Sequence, residues 1–231
     1  MTTFGLVHGG WLGAWTWDDV AASLRGAGHE AVAVDLPTED GSATFETYAD
    51  AVSRALEGYD DDVVIVGHSM GGHSIPLVAA RRAVRHLVYL CALLPDVGRS
   101  LADQVATETD MLNPVWLSGL SEPDDQLRTR WVDRDIARRL ICHDCDDATA
   151  DGVLDRLRPQ AALPNVAPFS LAEFPDVECT YVVCTEDQFV QPDWSRRVAR
   201  ERLGAQIVEL PGGHSPLLSR PSAVVDVLLS L

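Results

Sequence analysis

The residues best placed to do chemistry are in the run VVIVGHSMGG, Val63 to Gly72. Gly67-His68-Ser69-Met70-Gly71 fits G-x-S-x-G. It directly follows a strand-like apolar run and precedes a helix-like segment. A sharp strand-to-helix turn needs small residues two before and two after the serine. It strains the backbone and lifts the hydroxyl above the sheet. That chemistry is nucleophilic attack on a carbonyl. A dinucleotide-binding loop fits poorly, because Ser69 stands where its second glycine belongs and no ribose-binding acid follows the next strand.

A serine hydroxyl needs a general base. His214, in LPGGHSPLL, lies between the last strand-like run and the last helix. That is the same sheet edge as Ser69. His68 flanks the serine, His73 falls inside the following helix, His86 begins a strand and His143 lies in an inserted segment. All are worse placed. The base needs an acid to fix its tautomer. Asp187, in VVCTEDQFV, follows the next-to-last strand and is the leading candidate, with Glu186 and Asp96 as alternatives. The oxyanion of a tetrahedral intermediate needs two backbone N–H donors. Met70, after the serine, would supply one. Gly10, in the His8–Trp11 run HGGW, would supply the other. His8 reads as a hydrogen-bonder within that loop.

The elements that position these residues alternate. Strand-like runs TFGLVHG, EAVAVDLP, DDVVIVGH and VRHLVYLCALLP are separated by helical patterns. In TFETYADAVSRALEGY, Phe45, Tyr48, Ala49, Val52 and Leu56 share one face. Strands CTYVVCTE and AQIVELPG and two helices close the chain. Strands that are apolar throughout indicate a parallel sheet covered on both faces. The expectation is an α/β fold with about six mostly parallel strands. A helical cap is inserted after the fourth strand, giving a core of 1–97 and 169–231 and a cap of 98–168. Within 98–168 the rhythm breaks and no buried strand is expected. The cap would cover the strands' carboxyl edge, where such sheets bind ligands. Its Met111, Trp116, Leu120 and Trp131, with Trp11, Leu93, Leu94 and Phe189, are candidates to line an apolar pocket.

Composition narrows the field. The 231 residues carry a formal net charge of −17, with no basic footprint for nucleic acid. The acidic clusters, Asp60–Asp62 among them, read as solvated surface. No apolar run is long enough to span a membrane and no secretory leader is visible. Five cysteines suit a reduced, cytoplasmic protein. Cys142-His143-Asp144-Cys145 has CxxC spacing, but without a second ligand pair no metal site is expected. All 18 basic residues are arginine, so lysine chemistry is excluded. The sequence leaves a homodimer open.

The runs LVHGGWLGAWTWDDVAASLRGAGHEAVAVDLP, VIVGHSMGG, LRPQ, YVVCTED and PGGHSPLLSRP, in this order, resemble the plant methylesterase and hydroxynitrile lyase family of the α/β-hydrolase superfamily. The resemblance implies a triad of Ser69, Asp187 and His214, oxyanion donors Gly10 and Met70, and no cofactor. The lyases carry threonine and lysine where this chain has Gly9 and Ser215, and this chain has no lysine for the departing cyanide. Hydrolysis of a small or medium apolar ester is the implied activity. Some proteins of this fold are instead ligand receptors or non-hydrolytic biosynthetic enzymes.

Overall fold

In the computed structural model, which describes residues 1–59 and 62–231, six strands form one parallel sheet. The acidic-cluster residues Asp60 and Asp61 lie outside the described residues. The strands are β1 (Thr3–Val7), β2 (Glu30–Val34), β3 (Val63–His68), β4 (His86–Leu90), β7 (Glu178–Cys184) and β8 (Gln206–Leu210), in the order β2-β1-β3-β4-β7-β8. Two-residue strands β5 (Arg128–Thr129) and β6 (Gln160–Ala161) form a separate antiparallel pair. Two residues are too few to show a period, so this pair has no sequence signature.

Burial explains the continuous apolar strands. Val63, Ile65, Tyr89, Tyr181 and Val183 pack on one face of the sheet, together with α2 (Phe45–Ala55), α3 (Ile75–Ala79) and α8 (Pro192–Val198). Leu6, Val64, Val66, Leu90 and Val182 pack on the other, against α1 (Asp18–Gly26), α9 (Pro216–Ser219) and α10 (Pro221–Leu229). Side chains alternate along a strand, so a sheet covered twice must be apolar at every position. The predicted stripe Phe45, Tyr48, Ala49, Val52 and Leu56 is buried. Thr44 caps its helix by accepting from the Thr47 amide.

The helix-like segment that follows Ser69 is broken. A 3-10 turn spans Ser69–His73, and α3 starts only at Ile75. Ser69 has φ +51°, a left-handed conformation that costs a non-glycine residue about 1 kcal/mol or more. A regular helix cannot begin there.

Between β4 and β7 run α4 (Leu101–Thr107), α5 (Arg134–Ile141), α6 (Asp147–Asp155) and α7 (Leu163–Val166), with a 3-10 turn at Pro114–Gly119. Leu140, Trp116, Leu120, Trp131 and Ile136 from this segment pack with Trp11 and Phe189, which follow β1 and β7. The segment is therefore tied to the carboxyl ends of the sheet's strands. Among the described residues no helix is long and apolar enough to cross a membrane.

Candidate active site

Three chain ends converge at the sheet's carboxyl edge. Ser69 follows β3, and its neighbours leave little room. A Cβ on Gly67 would sit 2.9 Å from Ile75 Cγ2. One on Gly71 would lie 2.9 Å from the carbonyl oxygens of Val7 and His8. The small residues flanking Ser69 are thus required by close backbone approach. His214 follows β8, and Asp187 follows β7. All three are buried.

Their hydrogen bonds form a line. The Ser69 hydroxyl and His214 Nε2 are 3.0 Å apart. His214 Nδ1–H donates to Asp187 Oδ2 at 2.8 Å. The second carboxylate oxygen of Asp187 accepts from the amides of Phe189 at 2.8 Å and Val190 at 3.0 Å. Two backbone donors hold the carboxylate still, so it in turn fixes the ring's tautomer. In this geometry Nε2 is free to take the serine proton. Glu186 is exposed and makes no such contact. Asp96 pairs with Arg99 at 2.9 Å.

The loop after β1 lies beside the serine. A Cβ on Gly9 would meet Ser69 Cβ at 2.8 Å, and one on Gly10 would meet the Met70 side chain at 3.5 Å. The backbone of Gly9 and Gly10 therefore comes against Ser69 and Met70 with no side chain between. This loop is fixed at Trp11, whose φ is +60°. The Trp11 carbonyl accepts from the Arg158 amide at 2.8 Å. The Trp11 amide donates to Gln160 Oε1 at 3.4 Å, and Gln160 Nε2 donates to Tyr48 Oη and the Ala161 carbonyl, both at 3.0 Å. Sequence reasoning assigned LRPQ no role. Here Arg158 and Gln160 brace the glycine loop from both sides.

Four buried histidines lie in this region, His8, His68, His73 and His214. His8 donates from Nδ1 to the Gly9 carbonyl at 2.8 Å and accepts from the Leu36 amide at Nε2, at 3.0 Å. His68 donates to the His214 carbonyl at 2.8 Å, and His73 to the Leu93 carbonyl at 3.1 Å. Burial pushes His8 down to about 4 and His73 to about 3, and holds His68 well below the usual imidazole range. All three are neutral braces, and His68 holds the backbone of the fourth, His214. Above about pH 6.5 neither folded nor unfolded chain protonates these rings, so they cost nothing. As pH falls from 6.5 toward 4, the unfolded chain takes up protons that the native one refuses, and stability drops. At about 1.4 kcal/mol per unit, His8 alone removes on the order of 3 kcal/mol by pH 4. Urea unfolding followed between pH 7 and 4 should show this loss, and His73→Phe should reduce it. A midpoint unchanged across that range would contradict the assignment.

The loop carrying His214 is anchored by the inserted segment. Asp144 Oδ2 accepts from the Gly213 amide at 3.0 Å and from the Ser219 hydroxyl at 2.8 Å. Gly212 has φ +110°, and a Cβ on Gly213 would be 2.5 Å from His143 Cε1. The middle of CHDC thus packs on the two glycines before His214. Cys142 and Cys145 are buried, with burial raising their thiols to about 11 and about 12. Among the described residues no cluster of three or more His, Cys, Asp or Glu side chains could hold a metal. Asp144→Ala should lower turnover about tenfold or more by loosening this loop, an effect of one buried charged acceptor. Asp144→Asn, which keeps an acceptor oxygen, should recover most of it. Equal rates in steady-state assays of both variants and the parent would contradict the anchoring.

Beside Ser69 lies a partly open cavity of about 30 Å³. Its walls are Trp11, Ser69, Met70, Leu93, Leu101, Leu112, Trp116, Asn165, Phe189 and Val190. Of the residues proposed from sequence as pocket lining, Trp11, Leu93, Trp116 and Phe189 border it. Leu94 does not: it is buried below, its carbonyl taken by Arg202 at 3.1 Å. Met111 is fully buried in the main core with Trp194. Trp131 stands one layer back, edge-on to Trp11 at 5.5 Å and to Phe189 at 5.9 Å. Leu101, Leu112, Asn165 and Val190 border the cavity and were not picked out. Leucine and valine carry no sequence mark separating wall from core.

A parallel sheet, a strained serine turn after its third strand and a histidine–carboxylate pair at the same edge define an α/β enzyme of hydrolase architecture. The chain belongs to the alpha/beta hydrolase family, whose model matches residues 6–227, and falls in its methylesterase-like branch. It is 29% identical to methylesterase 7 of Arabidopsis thaliana over 247 residues, covering 99% of this chain and 95% of that one. A carbendazim hydrolyzing esterase of Nocardioides sp. (strain SG-4G) is 43% identical over 114 residues, 44% of this chain and 46% of the other. The crystal structure of polyneuridine aldehyde esterase shares the fold, with a TM-score of 0.85 at 24% identity, over 100% of this chain and 98% of that one.

Proposed function

We propose that the protein is a serine esterase that cleaves small to medium apolar carboxylic esters. The observation that carries this reading is the Ser69–His214–Asp187 line, at 3.0 and 2.8 Å, opening beside an apolar cavity. Esterase relatives along the whole chain support it.

In this reading His214 Nε2 takes the Ser69 proton as Oγ attacks the ester carbonyl. The imidazolium is stabilised by Asp187. The tetrahedral oxyanion is held by the amides of Met70 and Gly10. Collapse expels the alcohol, which leaves with the proton on His214. Water, deprotonated by the same ring, attacks the acyl-serine and releases the acid. Gly9 and Ser215 leave no cation to receive cyanide, which supports hydrolysis over lyase chemistry. The segment 98–168 acts as the cap, and Trp116 from it and Phe189 beside it give the acyl or alkyl body its aromatic walls. No metal or cofactor takes part. The five free thiols support a cytoplasmic setting.

Purified protein is expected to hydrolyse p-nitrophenyl acetate or butyrate and to be labelled at Ser69 by a fluorophosphonate. Labelling with no turnover across a broad ester panel would favour a ligand-binding role. Absence of both would end the esterase reading.

A further inference from the structure

One residue belongs to the walls of two cavities. Leu112 borders the cavity of about 30 Å³ beside Ser69 and also a wider groove of about 430 Å³ that opens to solvent. Among the described residues no other is common to both walls. Leu112 is half-buried, and it packs both on the aromatic group of Trp11 and Phe189 and on the main core. Its backbone is pinned. Leu112 bridges Val190, and to either side the Asn113 amide donates to the Phe189 carbonyl at 2.9 Å and the Gln191 amide to the Met111 carbonyl at 3.0 Å. The leucine side chain is the part of this wall that a substitution can remove.

A cavity of this size takes a group of about one or two carbons without displacing a wall. Forcing further methylenes against packed side chains costs roughly tenfold or more. A chain that reached the groove would instead find free space. In the acyl-serine route the acyl group stays on Ser69 Oγ until water attacks, whereas the alcohol leaves first. The open part of the cavity must pass the alcohol and the water. The closed part is left to the acyl group.

We infer that Leu112 is a specificity-determining residue, and that the preferred ester is that of a short straight-chain acid, acetyl or propionyl in size. The acyl chain runs from Ser69 toward Leu112, whose side chain stops it short of the groove. This rests on the esterase reading of the same site.

The test measures kcat/KM for p-nitrophenyl acetate, propionate, hexanoate and octanoate. The parent is expected to favour acetate or propionate over octanoate by about tenfold or more. Leu112→Ala should open the cavity into the groove and raise the octanoate-to-acetate ratio by about tenfold or more. Leu112→Val should raise it in the same direction by less. Leu101→Ala is the comparison, because Leu101 borders the cavity but not the groove and its loss adds volume without a passage. It should raise the octanoate-to-acetate ratio by less than Leu112→Ala does. An equal gain from both would mean that volume alone sets the limit and would overturn the assignment to Leu112. Thermal unfolding of each variant reports whether the fold is kept. If Leu112→Ala does not fold, Leu112→Val decides. A parent that turns over octanoate as well as acetate, or a ratio unchanged by the Leu112 variants, would overturn this inference and leave the esterase reading standing. No turnover of any ester, with no fluorophosphonate labelling of the parent, would overturn both.

Discussion

Ser69→Ala is expected to reduce ester turnover by a factor on the order of 10⁴ or more and to abolish fluorophosphonate labelling. The fold should survive, because Ser69 contributes little besides its hydroxyl and a strained turn. Alanine at φ +51° keeps that strain but adds none. The residual rate measures the oxyanion donors and the pocket alone, since removing a nucleophile leaves both in place. Thermal unfolding and labelling, measured on the same preparation, separate loss of chemistry from loss of structure. An alanine variant with turnover near the parent's would rule out an acyl-serine.

The second large effect is at the acid. Asp187→Asn is expected to lower kcat by about 10⁴. An amide can still accept from the Phe189 and Val190 amides. Facing His214 Nδ1, however, it presents a donor or a neutral acceptor in place of a carboxylate. The ring can then turn over its tautomer, putting the proton on Nε2 and leaving nothing to accept the serine proton. Glu186→Gln should leave kcat within about twofold, because the Glu186 side chain is exposed and touches neither ring nor serine. The two variants, assayed side by side, decide between the neighbouring carboxylates that the sequence left open. Loss at Glu186 with retention at Asp187 would reverse the assignment.

Much of this site was legible because its requirements are local or ordered. Gly67 and Gly71 are glycine because their Cβ atoms would strike Ile75, Val7 and His8, and such demands leave a motif. Strands buried on both faces read as unbroken apolar runs. Ser69, Asp187 and His214 each follow a strand, so their chain order already implied a shared edge. The inserted segment was less legible for the opposite reason. Met111, Trp131 and Leu94 have the same apolar character as Trp116 and Leu93, and only the packing decides which ones face the cavity. Gln160 and Asp144 are single polar residues whose partners lie far away in sequence. Gln160 meets Trp11 across 149 residues and Asp144 meets Gly213 across 69. No period or spacing announces such a contact.

The order of strands also bears on how fast the protein becomes active. Ser69 and His214 are 145 residues apart, and His68 reaches the His214 carbonyl across 146. The first four strands can pair while the chain is still short, but β7 and β8 join only after the whole inserted segment has been looped out. Closing so long a loop is entropically slow, and topologies rich in distant contacts fold slowly. On dilution from denaturant, helical and strand signals should therefore return before turnover does. Esterase activity is then a clock for the last docking event, and the lag between the two signals times the arrival of β7 and β8.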